Sequence, residues 1–404
     1  MQRYVMKKTV LIIVAIFYQC FLFAQDSSLQ RLIRVHQKPI IYTNNTFSGD
    51  GWQMLLGKID STRFTLIGED HGMAEIPAFT KALLKHKKFD HFVAEIDPIT
   101  ANIALELTEV SLDSLKKLHQ TQVDPLSFYS LSEEFDIVRT LAERKMDFWG
   151  LEQISMFSDK IIFDYLKKNA KTPKGKMAAS DMLNRAIDST AKIQGVSFFS
   201  FKKKGYEDFK TALLEENEDI QETTERLLKS YKIYQSGEHT PRIKLMKHEW
   251  QRHFDRLSST QKAHDNFLFK FGANHAAQGL SPHGLNLNDV GSIVSNVADT
   301  YFESSFHILI VGANGEQASP MVENGYSKID IMDANNGMPC LKPFLQNLDK
   351  TQWSLFNLKP MRRAFENGDL KIADFDLIKT ILGYDVLVVI PQATRSHIID
   401  KYKK

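Results

Sequence analysis

Thr65-Leu66-Ile67-Gly68-Glu69-Asp70-His71-Gly72-Met73-Ala74-Glu75 decides the fold. An apolar run from Phe64 stops at a glycine, acidic residues and a histidine follow at once, and a helix-type pattern begins behind them. A nearly continuous apolar run reads as a strand buried on both faces, as in a parallel sheet covered by helices. In such a sheet, ligands bind where strands give way to helices. His71, with Glu69 two residues before it and Glu75 four after, is there a candidate acid/base or metal-ligand cluster. The arrangement recurs far downstream in Phe267-Leu268-Phe269-Lys270-Phe271-Gly272-Ala273-Asn274-His275, again an apolar run followed by Gly-x-x-His. The chain shows no other internal repeat.

Working outward, further strands are expected over 91–96 and 146–152, ending near Glu95 and on Glu152. Downstream strands are expected over 267–271, 291–297 and 306–311, with a strongly β-branched last strand over 384–390. Helices are expected over 73–85, 99–118, 131–144, 362–365 and 376–382. The stretch 27–61 reads as turn-rich with one short helix near Trp52, Leu55 and Leu56, and 320–346 reads as loop-rich. This alternation predicts an α/β fold with a central, mostly parallel sheet flanked by helices. Between 156 and 262 strands vanish and charged helical segments take over: 160–169, 178–193, 206–234 and 242–257. That block is expected to be a long helical insertion, a cap over the sheet's active edge, within one domain spanning 25–404. A dimerisation arm is the other reading, and the oligomeric state is left open.

The hydrophobic share of 43% and the charged share of 25% are ordinary for a globular chain. A net charge of +2 gives no reason to expect a nucleic acid or another polyanion as partner. Arg3, Lys7 and Lys8 precede an apolar run over 10–17, and a second short run ends at Ala24. This is the pattern of a secretory signal peptide over 1–24, which predicts a periplasmic or secreted bacterial protein without a stable membrane anchor after cleavage. The run is short of the ~20 residues needed to span a bilayer. Removing that segment leaves Cys340 as the one cysteine, so no internal disulfide is expected.

A histidine at a strand-end turn can take a proton from water, because its ordinary pKa lies near neutrality. A neighbouring carboxylate fixes its tautomer and stabilises the imidazolium. His71, Glu69, His275, Glu95 and Glu75 are therefore the candidate catalytic residues. Glu152, Asn274, Asp70 and Arg363 are candidates for holding a small-molecule substrate. The structural alternative for Glu69, Glu95 and Glu152 is helix capping, since acids just after strands often sit at helix N-termini. His239, His248, His253 and His264 are weaker candidates, and His248, Glu249 and Arg252 would have to reach down from the cap. No His-Glu-x-x-His, Gly-x-Ser-x-Gly, P-loop or Rossmann fingerprint occurs. That argues against a serine hydrolase, a nucleotidase and a dehydrogenase.

The blocks Ile67-Gly68-Glu69-Asp70-His71-Gly72-Met73-Ala74-Glu75, Val93-Ala94-Glu95-Ile96, Phe148-Trp149-Gly150-Leu151-Glu152 and Gly272-Ala273-Asn274-His275-Ala276 resemble, in this order, those of the erythromycin esterase-like family. The terminal stretch from Gly383 to Ile390, followed by Ala393-Thr394-Arg395, resembles that family's last strand. The likeness runs over most of 60–396 and is weakest in the helical middle. It implies metal-independent hydrolysis of an ester or lactone, with His71 activating water, Glu69 supporting it and His275 completing the site. No cofactor is then expected. The superfamily also holds ChaN-like haem-binding lipoproteins and TIKI/TraB proteases. Here one residue separates Glu69 from His71, as in those two groups, whereas the esterases usually have two. The late block carries one histidine where macrolide esterases tend to carry two. These departures keep two alternatives open: a periplasmic haem- or metal-binding protein, and a metal-dependent protease-like enzyme with His71, Glu69 and His275 as ligands.

Overall fold

The computed structural model describes residues 28–192, 197–282, 286–318, 326–334 and 337–399. The expected signal segment lies outside them. Strands β1 (Gln37–Thr43), β2 (Thr46–Ser48), β3 (Phe64–Glu69), β4 (His91–Ala94), β5 (Asp147–Gly150), β6 (Phe267–Gly272), β7 (Phe306–Gly312), β8 (Asn314–Ala318), β9 (Tyr326–Asp330), β10 (Trp353–Asn357) and β11 (Val386–Ile390) follow in chain order. Nine of them form one sheet in the order β2-β1-β10-β11-β7-β3-β6-β4-β5, and β8 pairs with β9 separately. From β11 to β5 every pairing is parallel. At the other end β10, β1 and β2 add on antiparallel. The chain is thus α/β with a large, mostly parallel central sheet flanked by helices.

Side-chain alternation along the strands divides the core into two layers. Ile308 and Ile310 of β7 and Val386, Val388 and Ile390 of β11 face one layer, with Phe79, Leu83, Ile137 and Leu141 from helices Glu75–His86 and Ser132–Arg144. Leu309, Val311, Leu387 and Val389 face the other, with Val294 and Ala298 from helix Val290–Thr300 and Ile381 from helix Phe375–Gly383. Period-2 strands between period-3.6 helices give a three-layer sandwich.

The structure departs from the sequence reading at several elements. The stretch 291–297, expected to be a strand, lies in helix Val290–Thr300, whose first backbone N–H is capped by Asp289. Its buried Val290, Val294 and Ala298 are four apart, which is helical spacing that a short β-branched run hides. The expected helix over 206–234 is broken into Lys202–Ala212 and Glu218–Ser236, the second capped by Asn217. The expected helix over 99–118 is likewise divided, into Pro98–Glu106 and Leu112–Thr121. Strands β1 and β2 lie in the stretch read as turn-rich and β9 in the one read as loop-rich, and no strand was read at β8 or β10.

The helices between 156 and 262 do not all sit at the strand edge. Helix His239–Arg256 lies against the sheet, where buried Trp250 packs on Trp149, Phe267 and Phe269 with ring centroids 5.9, 5.7 and 5.1 Å away. Trp250→Ala is expected to cost about 3–5 kcal/mol of stability in urea unfolding, the usual cost of emptying a large core site.

Candidate active site

Four neighbouring strands in the order β3-β6-β4-β5 end at the same edge and deliver the acidic and imidazole groups there. Glu69 is the last residue of β3 and pairs in register with Gly272 of β6. His71 follows it by two residues, and Gly72 holds φ +83, a left-handed conformation that glycine adopts without strain. That turn is pinned by Gly72, whose carbonyl accepts from the Ala318 and Ser396 amides at 2.8 and 2.9 Å.

His71 Nδ1 lies 2.8 Å from Glu69 Oε1 and its Nε2 lies 3.4 Å from Glu95 Oε2. Glu95 Oε1 in turn lies 3.6 Å from Nε2 of His275, whose Nδ1 is 2.8 Å from Asp289 Oδ2. Segments two hundred residues apart therefore place two imidazoles on either side of one carboxylate. Gly272 makes the approach feasible: it donates its N–H to Glu95 Oε2 at 2.8 Å, and a Cβ there would stand 2.8 Å from His71 Nε2. None of Glu69, Glu95 and Glu152 caps a helix. The helix after β3 begins without a side-chain cap, and Asp97 caps the one after β4.

Two fixed cations balance the carboxylates. Lys270, buried, reaches Glu69 Oε1 at 2.7 Å and Glu134 Oε1 at 2.8 Å. Arg242, from the first turn of helix His239–Arg256, donates to Glu95 Oε1 at 2.6 Å and through Nε to both oxygens of Glu152 at 3.0 and 2.9 Å. Phe128 lies flat on the His71 ring, with centroids 3.9 Å apart and planes inclined by 14°.

Burial alone would favour the neutral imidazole of His71. The hydrogen bonds and negative charges of Glu69 and Glu95 outweigh it and raise its pKa to about 10. Burial would likewise raise Glu69, but Lys270 and His71 bring it below its ordinary value. Glu95 is held well below the carboxylate range, against its own burial, by His275, His71 and Arg242. Glu134 is pushed up to about 7 by burial and the charge of Glu69, despite Lys270. Asp70 rises to about 6, chiefly through burial. His275 is raised by Glu95 and Asp289 against its burial.

The structure brings together Glu69, His71, Glu95, Glu152 and His275. Asp70 is half-buried beside them, and Asn274 is half-buried in the short helix Ala273–Ala276 that carries His275. Two expected site residues lie elsewhere. Glu75 turns away from His71 and accepts from the Thr394 amide and hydroxyl, at 2.9 and 2.7 Å, which ties down the C-terminal segment. Arg363 is exposed on helix Lys359–Glu366. Because β10 runs antiparallel, that helix starts at the opposite end of the sheet. Glu249 and Arg252 pair with Arg226 and Glu222 within the helical block and do not reach the site. Arg242, Lys270, Glu134, Phe128 and Asp289 were not read from the sequence. Lys270 alone left a signal, as the single charge inside an apolar strand.

Among the described residues no group of three or more His, Cys, Asp or Glu side chains is arranged to hold a metal ion. His71 Nδ1 and His275 Nδ1 each sit against a carboxylate, and Glu69 and Glu95 also pair with Lys270 and Arg242. No helix among the described residues is long and apolar enough to cross a membrane.

The chain is an α/β protein that shares its fold with a solved erythromycin esterase. No protein-family model matches the sequence, and no curated protein matches it significantly. The likeness is to solved structures. A mutant of erythromycin esterase EreC in its open conformation superposes with a TM-score of 0.58 at 13% identity, over 90% of this chain and 99% of that one. A succinoglycan biosynthesis protein gives 0.56 at 15% identity over 93% and 99%. A protein from Bacillus cereus gives 0.55 at 14% identity over 92% and 99%.

Proposed function

We propose that the chain is an exported hydrolase in which His71 activates water to attack the carbonyl of an ester or lactone, or of an amide. The observation that carries this is the Glu69–His71–Glu95–His275 string at the strand ends, at 2.8, 3.4 and 3.6 Å. The likeness to a protein named an erythromycin esterase supports the reaction class. The same fold in a protein named for succinoglycan biosynthesis shows that fold alone does not assign it.

Glu69 fixes the His71 ring through Nδ1, so Nε2 is the atom that exchanges the proton. Water attacks the carbonyl carbon, and its proton passes to neutral His71. The tetrahedral intermediate then collapses, and His71 returns the proton to the leaving oxygen or nitrogen. His275, whose hold on a proton is strengthened by Glu95 and Asp289, stabilises the developing oxyanion. Arg242 positions Glu95 and Glu152. Substrate is a small molecule, with no nucleic acid and no membrane anchor required.

The test is a panel of simple esters, lactones and amides incubated with purified protein. Turnover of at least one class above a heat-inactivated control is expected, and no turnover of any class would contradict the proposal. Export is tested by the N-terminal sequence of the mature protein, expected to begin near Gln25.

A further inference from the structure

Beyond β11 the stretch 393–399 crosses the strand-end edge as a strap. It first runs beside β8, where the Ala393 carbonyl accepts from the Glu316 amide at 3.2 Å. It then meets the turn that carries His71: the Thr394 carbonyl accepts from the Ala74 amide at 2.8 Å, and the Ser396 amide donates to the Gly72 carbonyl at 2.9 Å. Next it meets the first turn of helix Ser132–Arg144. There the His397 carbonyl accepts from the Ser132 amide at 2.7 Å, and Ile398 forms a bridge with Leu131. The Leu131 amide in turn donates to the Phe128 carbonyl at 3.1 Å. One short segment thus grips, by its backbone, both the turn of His71 and the turn of the ring stacked on it. Ile398 also lines the cavity of about 230 Å³ that contains His71 and Asp70.

Two carboxylates fasten the strap, one from each turn. Glu75, the first residue of the helix after His71, is buried and accepts from the Thr394 amide with both oxygens, at 2.9 and 3.1 Å, and from its hydroxyl at 2.7 Å. Glu133, the second residue of the helix after Phe128, accepts from the His397 amide at 2.8 Å and lies 2.7 Å from its Nδ1. Segments near a chain end are ordered only where something ties them down. Here the ties join the two turns that set the His71–Phe128 stack, and a small misplacement of a reacting group costs large factors in rate.

We infer that Glu75 and Glu133 are positioning residues, which act through the strap 393–399 to hold His71 flat against Phe128 with its Nε2 towards Glu95. The consequence for rate rests on the hydrolytic reading, whereas the test of position needs no substrate.

The readout is the NMR signal of the His71 Cε1–H, assigned by its loss in His71→Gln, at pH 5.5, where free histidine is already largely the imidazolium. Protons held over the face of an aromatic ring resonate upfield, so the parent signal should lie upfield of its position in Phe128→Leu. Glu75→Ala/Glu133→Ala should move it at least halfway to that position. Glu75→Gln keeps an oxygen that accepts from Thr394 and should leave the signal where the parent has it. The Cε1–H of His91, buried at the start of β4 between Asp147 and Asp265, reports general loosening and should stay in place throughout. An unmoved His71 signal in the double variant, a Glu75→Gln that shifts as far as the double variant, or a His91 signal that moves along with it would overturn the inference. Should the double variant fail to fold, Glu133→Ala alone, which removes an exposed pair, should move the signal part of the way, and no movement would overturn the inference equally. On an ester that the parent cleaves, the double variant should lose about 10–100-fold in kcat. A parent without turnover on any substrate would sink the hydrolytic reading alone, and an unmoved His71 signal in an active enzyme would sink the strap alone.

Discussion

His71→Gln is expected to lower kcat/KM on any ester or lactone that the parent protein cleaves by about 10²–10⁴-fold, the contribution of a positioned proton carrier. Glutamine keeps an amide that can donate to Glu69 but offers no group that takes up a proton near neutrality. The loss should fall on kcat rather than on KM, because the proton moves only in the transition state. His71 keeps 29% of its side chain exposed, so its replacement leaves no large cavity, but it takes the imidazolium from Glu69 and Glu95, and thermal unfolding at neutral pH should come at a lower temperature. Arg363→Ala is the control: the side chain is exposed at the far end of the sheet, and the variant should match the parent in both rate and stability. A His71→Gln protein that hydrolyses the same substrates at the parent rate would end the proposed mechanism.

Lys270→Met is the variant with the largest expected effect on the fold. The ammonium is 3% exposed and sits between two carboxylates that are each 2% exposed. Its removal strands Glu69 and Glu134 without their cation, and breaking a buried ion pair in this way costs about 3–5 kcal/mol. Glu134, already raised to about 7 with Lys270 present, should then rise further and bind a proton in the folded state before it does in the unfolded chain. A raised carboxyl makes its contribution below the unfolded value and loses it as pH climbs through the folded one. The variant should therefore gain stability relative to the parent as pH falls from its raised Glu134 value to about 7, below which Glu134 is protonated in both. Lys270→Met/Glu134→Gln should recover part of the loss at pH 8, because only Glu69 is then left charged and it still has His71. Urea midpoints at pH 5.5 and 8 measure both effects. Equal stability of Lys270→Met and parent at pH 8 would show that the ammonium does not neutralise the pair.

Both expectations rest on parts of the site that differ in how visible they are in the sequence. The glycine-terminated runs at Gly68 and Gly272 were legible because strands buried on both faces must be apolar throughout, and a strand end must then carry whatever polar group the edge uses. Their adjacency as β3 and β6 was not legible, since parallel partners are joined through long crossovers. Glu75 was misplaced because four residues of separation imply a shared face only inside a helix, and the helix begins at Glu75 itself. Arg363 was misplaced because no strand was read at β10, whose reversed direction carries the next helix to the other edge. Arg242 stands in a helix of mixed charges, where nothing local distinguishes a residue that meets Glu95 and Glu152 from one that meets water. Cys340, with no base nearby in sequence, is buried and its thiol is pushed up to about 12, away from any nucleophilic role.

Joint control of the His71 proton by Glu69 and Glu95 is tested most directly by the pH profile of kcat/KM in parent and Glu95→Gln proteins. A histidine raised to about 10 is the imidazolium below that value, so its neutral, proton-accepting fraction near pH 7 is on the order of 10⁻³ and grows about tenfold per pH unit. The parent profile should thus climb with a slope near one from pH 7 to 9 and level off towards 10. Glu95→Gln removes one of the two carboxylates and should move the whole rise to lower pH. A parent profile that levels off near pH 6.5, or a rise that stays in place in Glu95→Gln, would contradict the account.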